Sequence, residues 1–197
     1  MPVMHRLLLY VMAACLAIAQ QKPAITILIA YHSQSGNTET FAKAVRDGAA
    51  SVAGIEVQLR KAGEVTDAEI LKADGVLLGT PVHWANISAE AKRFLDRTGD
   101  VLWKAKTNGD GKTAGAFCTA GSIANGKEMA RMAIISAFLA MRFVIVGGID
   151  TNGFGTMGAQ ATTGPADPGL SEKELDEARK YGERFAKLTR QLRSGTQ

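Results

Sequence analysis

Cysteine is nearly absent from this chain. It has two in 197 residues, and only Cys118 lies beyond the N-terminal segment, so no internal disulfide can staple the main body. Histidine is scarce as well. His5, His32 and His83 share no ligand spacing with cysteines or paired acids, which argues against a metal centre. No run of lysine and arginine is interleaved with aromatics, and the net charge of +4 is mixed with acids on helical stretches such as Glu172–Arg193. That pattern reads as a solvated basic surface and gives no nucleic-acid site. Repeats and low-complexity tracts are missing. No apolar run reaches the roughly 20 residues of a membrane span, so the mature chain is expected to have no stable span.

The longest apolar run, Leu7–Ala19, is a different signal. It follows the short basic stretch Met1–Arg6 and ends in the small-x-small tripeptide Ala17-Ile18-Ala19. Those three regions in that order predict a leader over residues 1–22, and with it an exported or periplasmic protein. A leader that does not direct export would leave the chain cytoplasmic. The 175 residues that remain, 23–197, suit one domain.

Within that domain, mostly continuous apolar runs alternate with amphipathic stretches. Strands are predicted over Ile25–Tyr31, Ile55–Lys61, Gly75–Thr80, Thr113–Thr119 and Phe143–Gly148, and helices over Thr38–Val52, Asp67–Ala73, Ala89–Leu95, Lys127–Met141 and Ser171–Leu192. Continuous runs suit parallel strands covered on both faces. The last helix opens on a capping box, Ser171 to Glu174. Five such strands with crossover helices predict an α/β fold, a doubly wound five-stranded parallel sheet with helices on both faces. Ligands of such sheets sit beyond the carboxyl ends of the strands.

Three loops at that edge carry chemistry. The first, Ser33-Gln34-Ser35-Gly36-Asn37-Thr38, joins a buried strand to a helix and offers hydroxyls, a glycine and free helix amides. It lacks G-x-G-x-x-G, so a monophosphate fits better than a dinucleotide. The second, Pro81-Val82-His83-Trp84-Ala85-Asn86, brings an aromatic and a histidine out at the strand's end, with Pro81 expected to stop the strand. Trp84 reads either as a platform for a flat ring or as a core anchor for the next helix, and His83 as a proton donor or a plain surface residue. The third, Thr119-Ala120-Gly121-Ser122 through Gly126, holds G-x-x-x-x-G-K from Gly121 to Lys127. Glu128 follows where a triphosphate loop needs serine or threonine for magnesium, so ATP is not expected there. Its glycines instead let backbone approach a ring edge.

Together these loops resemble the flavodoxin-like family, and more narrowly the WrbA-type NAD(P)H:quinone oxidoreductases. The most specific stretch is GTPVHWANISAEAKRFLDRTGDVLW, Gly79 to Trp103, and FCTAGSIANGKE, Val144–Gly147 and the tail from Gly155 add to it. The resemblance implies an FMN cofactor. Ser33, Gln34, Ser35, Gly36, Asn37 and Thr38 would hold its phosphate. Pro81, Val82, His83, Trp84 and Asn86 would line its ring, and Thr119, Ala120, Gly121, Ser122 and Gly126 would meet the pyrimidine side. NAD(P)H and a quinone would be the substrates, His83 the catalytic proton donor and Trp103 a substrate-face residue shared across subunits of a homo-tetramer or dimer. A non-enzymatic electron carrier is the alternative. The chain departs from the family where a histidine often precedes the fifth strand, since Ala140 or Met141 stands there.

Overall fold

The computed structural model describes residues 25–149, 156–164 and 166–195. The predicted leader therefore lies outside the described residues. The chain runs β1 (Ile25–Tyr31), α1 (Asn37–Ala50), β2 (Ile55–Lys61), a 3-10 turn (Ala62–Glu64), α2 (Asp67–Lys72), β3 (Gly75–His83) and β4 (Asn86–Ile87). It continues with α3 (Ala89–Lys104), β5 (Thr113–Ala120), α4 (Lys127–Ala140), β6 (Val144–Ile145), β7 (Gln160–Thr162) and α5 (Glu172–Gly195). The sheet order is β2-β1-β3-β5-β6, with β7 parallel to the far end of β5 and β4 antiparallel to β3.

Alternation along β1 sets the two faces. Leu28 and Ala30 point into a core with Ile70 of α2, Phe94 and Leu95 of α3, and Ile134 and Phe138 of α4. Ile27, Ile29 and Tyr31 point the other way, against Phe41 and Val45 of α1 and Tyr181 and Phe185 of α5. The predicted doubly wound sheet is thus the observed one. On the second face α1 and α5 touch backbone to backbone. A Cβ added at Gly48 would lie 1.8 Å from the Arg179 carbonyl oxygen, and one at Gly182 would lie 1.9 Å from that of Val45.

Two predicted strand ends are corrected. Pro81 does not stop β3, which continues to His83 and keeps Pro81 in register with Thr119. Pairing with β1 has already ended at Gly79, so a residue without an N–H is tolerated there. The fifth strand is not continuous over Phe143–Gly148. It is split into β6 beside the start of β5 and β7 beside its end.

Side chains from both faces fill the gap. The Tyr181 hydroxyl donates to the Val146 carbonyl at 3.0 Å, and burial pushes that phenol well up. From the other face the buried Arg131 guanidinium donates to the Gly158 carbonyl at 2.6 Å. Both carbonyls belong to the connection between β6 and β7, so side chains replace the strand ladder that would otherwise satisfy them.

The predicted capping box is present. The Ser171 N–H and hydroxyl donate to Glu174, which also accepts the Thr162 N–H at 2.6 Å and so ties β7 to α5. Burial opposes the Glu174 charge, but the Thr162 and Ser171 hydrogen bonds outweigh it and hold the carboxyl below its ordinary range. A carboxyl lowered by folding stabilises the native state above its unfolded pKa and loses that contribution as pH falls through its lowered value. The urea midpoint is expected to drop between pH 6 and pH 3. Glu174→Gln should start lower and fall less steeply, and parallel pH profiles would contradict this.

Candidate functional site

The carboxyl ends of β1, β3, β5 and β7 bring the three loops to one edge. Loop one turns on Gly36, whose φ of 95° puts it in left-handed space and whose side-chain position is open for at least 4 Å. Gly36 is also the N-cap of α1, and no side chain caps that end. The first-turn amides and the positive helix end are therefore offered to an anion. Ser33 Oγ accepts the Gly36 N–H at 3.2 Å and so fixes the loop. Asn37 Nδ2 donates to Ser35 Oγ at 3.0 Å and to Asp167 Oδ1 at 2.7 Å, while Gln34 is exposed. Thr38 is buried, and its hydroxyl lies 2.8 Å from that of Thr119, joining loop one to the end of β5. That hydroxyl is committed inside the protein, and only the Thr38 amide faces the helix end.

Loop two is a β-hairpin, which the sequence reading did not anticipate. Val82 and His83 pair with Ile87 and Asn86, leaving Trp84 and Ala85 as the two-residue turn. Their φ values are 51° and 60°. A turn with both central residues left-handed normally takes Asn-Gly, so Trp-Ala holds it under strain. Strained residues of this kind persist where their surroundings hold them, and Gly126 does so here. A Cβ at Gly126 would sit 2.5 Å from the Ala85 Cα. The turn leaves Trp84 fully exposed, which removes the core-anchor reading. Val82 is buried, while Pro81 and His83 are half-buried and Asn86 is exposed.

Loop three begins from buried Thr119 and Ala120 and passes through exposed Gly121 and Ser122 to Gly126, the left-handed N-cap of α4. Lys127 is buried and donates to Thr162 Oγ1. It is therefore turned toward β7 and not toward the loop, unlike the lysine of a triphosphate loop. Cys118 is fully buried, and burial pushes its thiol up to about 12. It is no nucleophile at neutral pH.

His32 is a neighbour that sequence reading passed over. Its ring meets that of His83 edge-on, with centroids 6.0 Å apart, and Nδ1 lies 3.5 Å from Glu90 Oε2 without hydrogen-bond geometry. Burial lowers the His32 pKa, and Glu90 opposes that shift. Asp167 is the second residue missed. Trp103 is not gathered with the rest. It sits on the last turn of α3, about 22 Å along the helix from Ser88, beside a groove of about 180 Å³ with Gly99, Met141 and Arg142. Among the described residues no cluster of His, Cys, Asp and Glu could hold a metal ion, and no helix is long and apolar enough to cross a membrane.

Known proteins resemble this chain in sequence and in fold. A family model described as NADPH-dependent FMN reductase matches residues 61–152. A flavodoxin of Aquifex aeolicus is 34% identical over 160 residues, covering 81% of this chain and 84% of its own. The chain belongs to the flavodoxin-like family. An NAD(P)H dehydrogenase (quinone) of Afipia carboxidovorans is 30% identical to this family member, over 84% of this chain and 98% of its own. The WrbA-type resemblance read from Gly79–Trp103 thus meets relatives of that kind. A solved WrbA-like flavodoxin of Agrobacterium tumefaciens shares the fold with a TM-score of 0.67 at 23% identity, covering 85% of this chain and 98% of its own.

Proposed function

We propose that this flavodoxin-like protein is an FMN-dependent NAD(P)H:quinone oxidoreductase. The observation that carries this reading is the pairing, on one sheet edge, of an uncapped helix end with a fully exposed tryptophan on a strained turn. The first suits a phosphate and the second a flat heteroaromatic ring. FMN, when bound, supplies the capacity to accept a hydride from NAD(P)H and to pass two electrons to a quinone.

The protein's own groups bind and orient. Residues Ser33 to Thr38 hold the phosphate through first-turn amides and the Ser33, Ser35 and Asn37 side chains. Pro81, Val82, His83, Trp84 and Asn86 wall the ring, and backbone from Thr119 to Ser122 with Gly126 meets its edge. His83, half-buried beside them, is placed to donate a proton to the reduced quinone. Trp103 reaches a substrate face only if a second copy supplies it, which supports a dimer or tetramer. The leader over residues 1–22 supports an exported location, and a reporter active only after export, fused to that segment, would fail to light up if the location is wrong.

Anaerobic reconstitution tests the activity. FMN absorbance should bleach on adding NADH or NADPH and return on adding benzoquinone. Retained FMN that does not bleach would leave an electron carrier, the reading favoured by the flavodoxin relative. His83→Ala should slow quinone turnover while FMN is still retained, and turnover unchanged across pH would remove its role.

One charge at the site opposes the cofactor. The Asp167 carboxylate occupies Asn37 Nδ2, so a phosphate dianion at the loop must compete with it. Between like charges held on one exposed side chain the repulsion in solvent-like dielectric is about 1 kcal/mol. Asp167→Asn is expected to tighten FMN binding roughly fivefold, read by quenching of flavin fluorescence. Weaker binding would mean that Asp167 positions Asn37 instead.

A further inference from the structure

We propose that the cavity between β7 and the start of α5 takes the phosphate-bearing ribose of NADPH, with Lys127 as the residue that selects this donor over NADH. The choice of donor rests on the activity proposed above, whereas the fit to a phosphorylated ribose does not. The cavity has a volume of about 670 Å³, inside the range of small-molecule sites. None of residues 33–38 lines it, so it is distinct from the anion loop at α1. One of its walls holds a charge that the fold leaves unbalanced. Lys127 is only 5% exposed, and its ammonium donates to the Thr162 hydroxyl. Among the described residues no carboxylate forms an ion pair with it. Glu174 lies close enough for the Lys127 charge to help lower its pKa, but its oxygens are taken by the Thr162 N–H and by Ser171. Buried ammonium groups are normally paired, so this one calls for an anion.

A second open group sets the chemistry beside the anion. Gln160 also lines the cavity, and its buried side-chain carbonyl oxygen has no donor. An anion next to a hydroxyl satisfies both residues, the anion on Lys127 and the O–H on Gln160. Exposed Lys173 adds a positive charge at the rim, and Leu170 gives an apolar wall for a base. Half-buried Glu177 opposes a second phosphate, so one phosphate on a ribose fits better than a diphosphate or triphosphate. The position suits the far end of a donor whose nicotinamide meets the flavin. Lys127 directly follows Gly126, and the Thr163 N–H donates to the Ala120 carbonyl at 2.9 Å, so the cavity adjoins the loop assigned to the ring edge. NADPH and NADH differ there by the phosphate on the ribose 2′ oxygen. NADH would leave the Lys127 charge unbalanced.

Calorimetric titration of the full chain with 2′-AMP tests the cavity, with and without FMN. The wild type is expected to bind 2′-AMP with a Kd on the order of 100 μM, and adenosine at least about tenfold more weakly. FMN should leave both values unchanged, since it does not share the cavity. Lys127→Met, which keeps the side-chain length and removes the charge, should weaken 2′-AMP about tenfold or more. Lys173→Glu, at an exposed position that cannot upset the core, should weaken it about fivefold. Circular dichroism shows whether each variant is folded. Lys127→Met should also lower the ratio of kcat/KM for NADPH over NADH about tenfold. The proposal is overturned if 2′-AMP does not bind saturably, if FMN abolishes its binding, or if both folded variants bind it as the wild type does. An unchanged NADPH to NADH ratio in a variant that has lost 2′-AMP would overturn the assignment to NADPH and leave a free nucleotide as the occupant. The 2′-AMP titration needs no turnover, so failure of the site and failure of the oxidoreductase activity are distinguishable.

Discussion

Gly182→Ala is expected to destabilise the fold by about 3 kcal/mol or more, at the upper end of overpacking effects, and to lower Tm by roughly 6–12 °C. Alanine normally favours a helix over glycine by about 1 kcal/mol, so the sign itself is diagnostic. The reason is the α1–α5 crossing. A methyl at Gly182 would meet the Val45 carbonyl oxygen at 1.9 Å and the Ala49 nitrogen at 3.0 Å. These are backbone atoms, and no side chain can rotate away to make room. The two helices must separate, and Phe41, Tyr181 and Phe185 lose their packing against the sheet. Thermal unfolding followed by circular dichroism reads the effect. A stability equal to or above wild type would show that the helices do not approach so closely.

Gly126→Val is expected to act on the site rather than the core. The position has a φ of 75°, which a β-branched residue adopts at a cost of about 1–3 kcal/mol. Its Cβ would also strike the Ala85 backbone at 2.5 Å. That contact braces the Trp84–Ala85 turn, so valine should push the hairpin off the α4 N-terminus and let its strain relax. The Kd for FMN should rise on the order of a hundredfold, about 2.7 kcal/mol, while far-UV circular dichroism stays native. Wild-type FMN affinity in a folded variant would mean that the hairpin does not form the flavin wall.

Much of this fold was legible because its parts are local. The β-branched runs of β1 and β2 and the Ser171–Glu174 box end where the residues themselves say they should. The errors lie where distant groups decide. Phe143 to Gly148 reads as a strand, but Tyr181, 35 residues from Val146, takes the Val146 carbonyl and turns the chain out. β7 is only Gln160-Ala161-Thr162, too short and too polar to announce itself. The hairpin was hidden because Trp-Ala carries no turn signal, and its conformation is imposed by Gly126 from another loop. The glycine stretch 121–126 was assigned to a ring edge, but no sequence pattern foretold its contact with Ala85. His32 and Asp167 joined the site by proximity alone, through His83 and Asn37.

The divided fifth strand has a consequence for aggregation. An open sheet invites another chain to add a strand along any long, unbroken edge. Here one edge is interrupted between Ile145 and Gln160, where Tyr181 and Arg131 occupy the groups that an invading strand would need. The opposite edge, β2, carries Glu56, Arg60 and Lys61, charges that oppose the approach of a second strand. Both routes to runaway polymerisation along the sheet are thereby blunted.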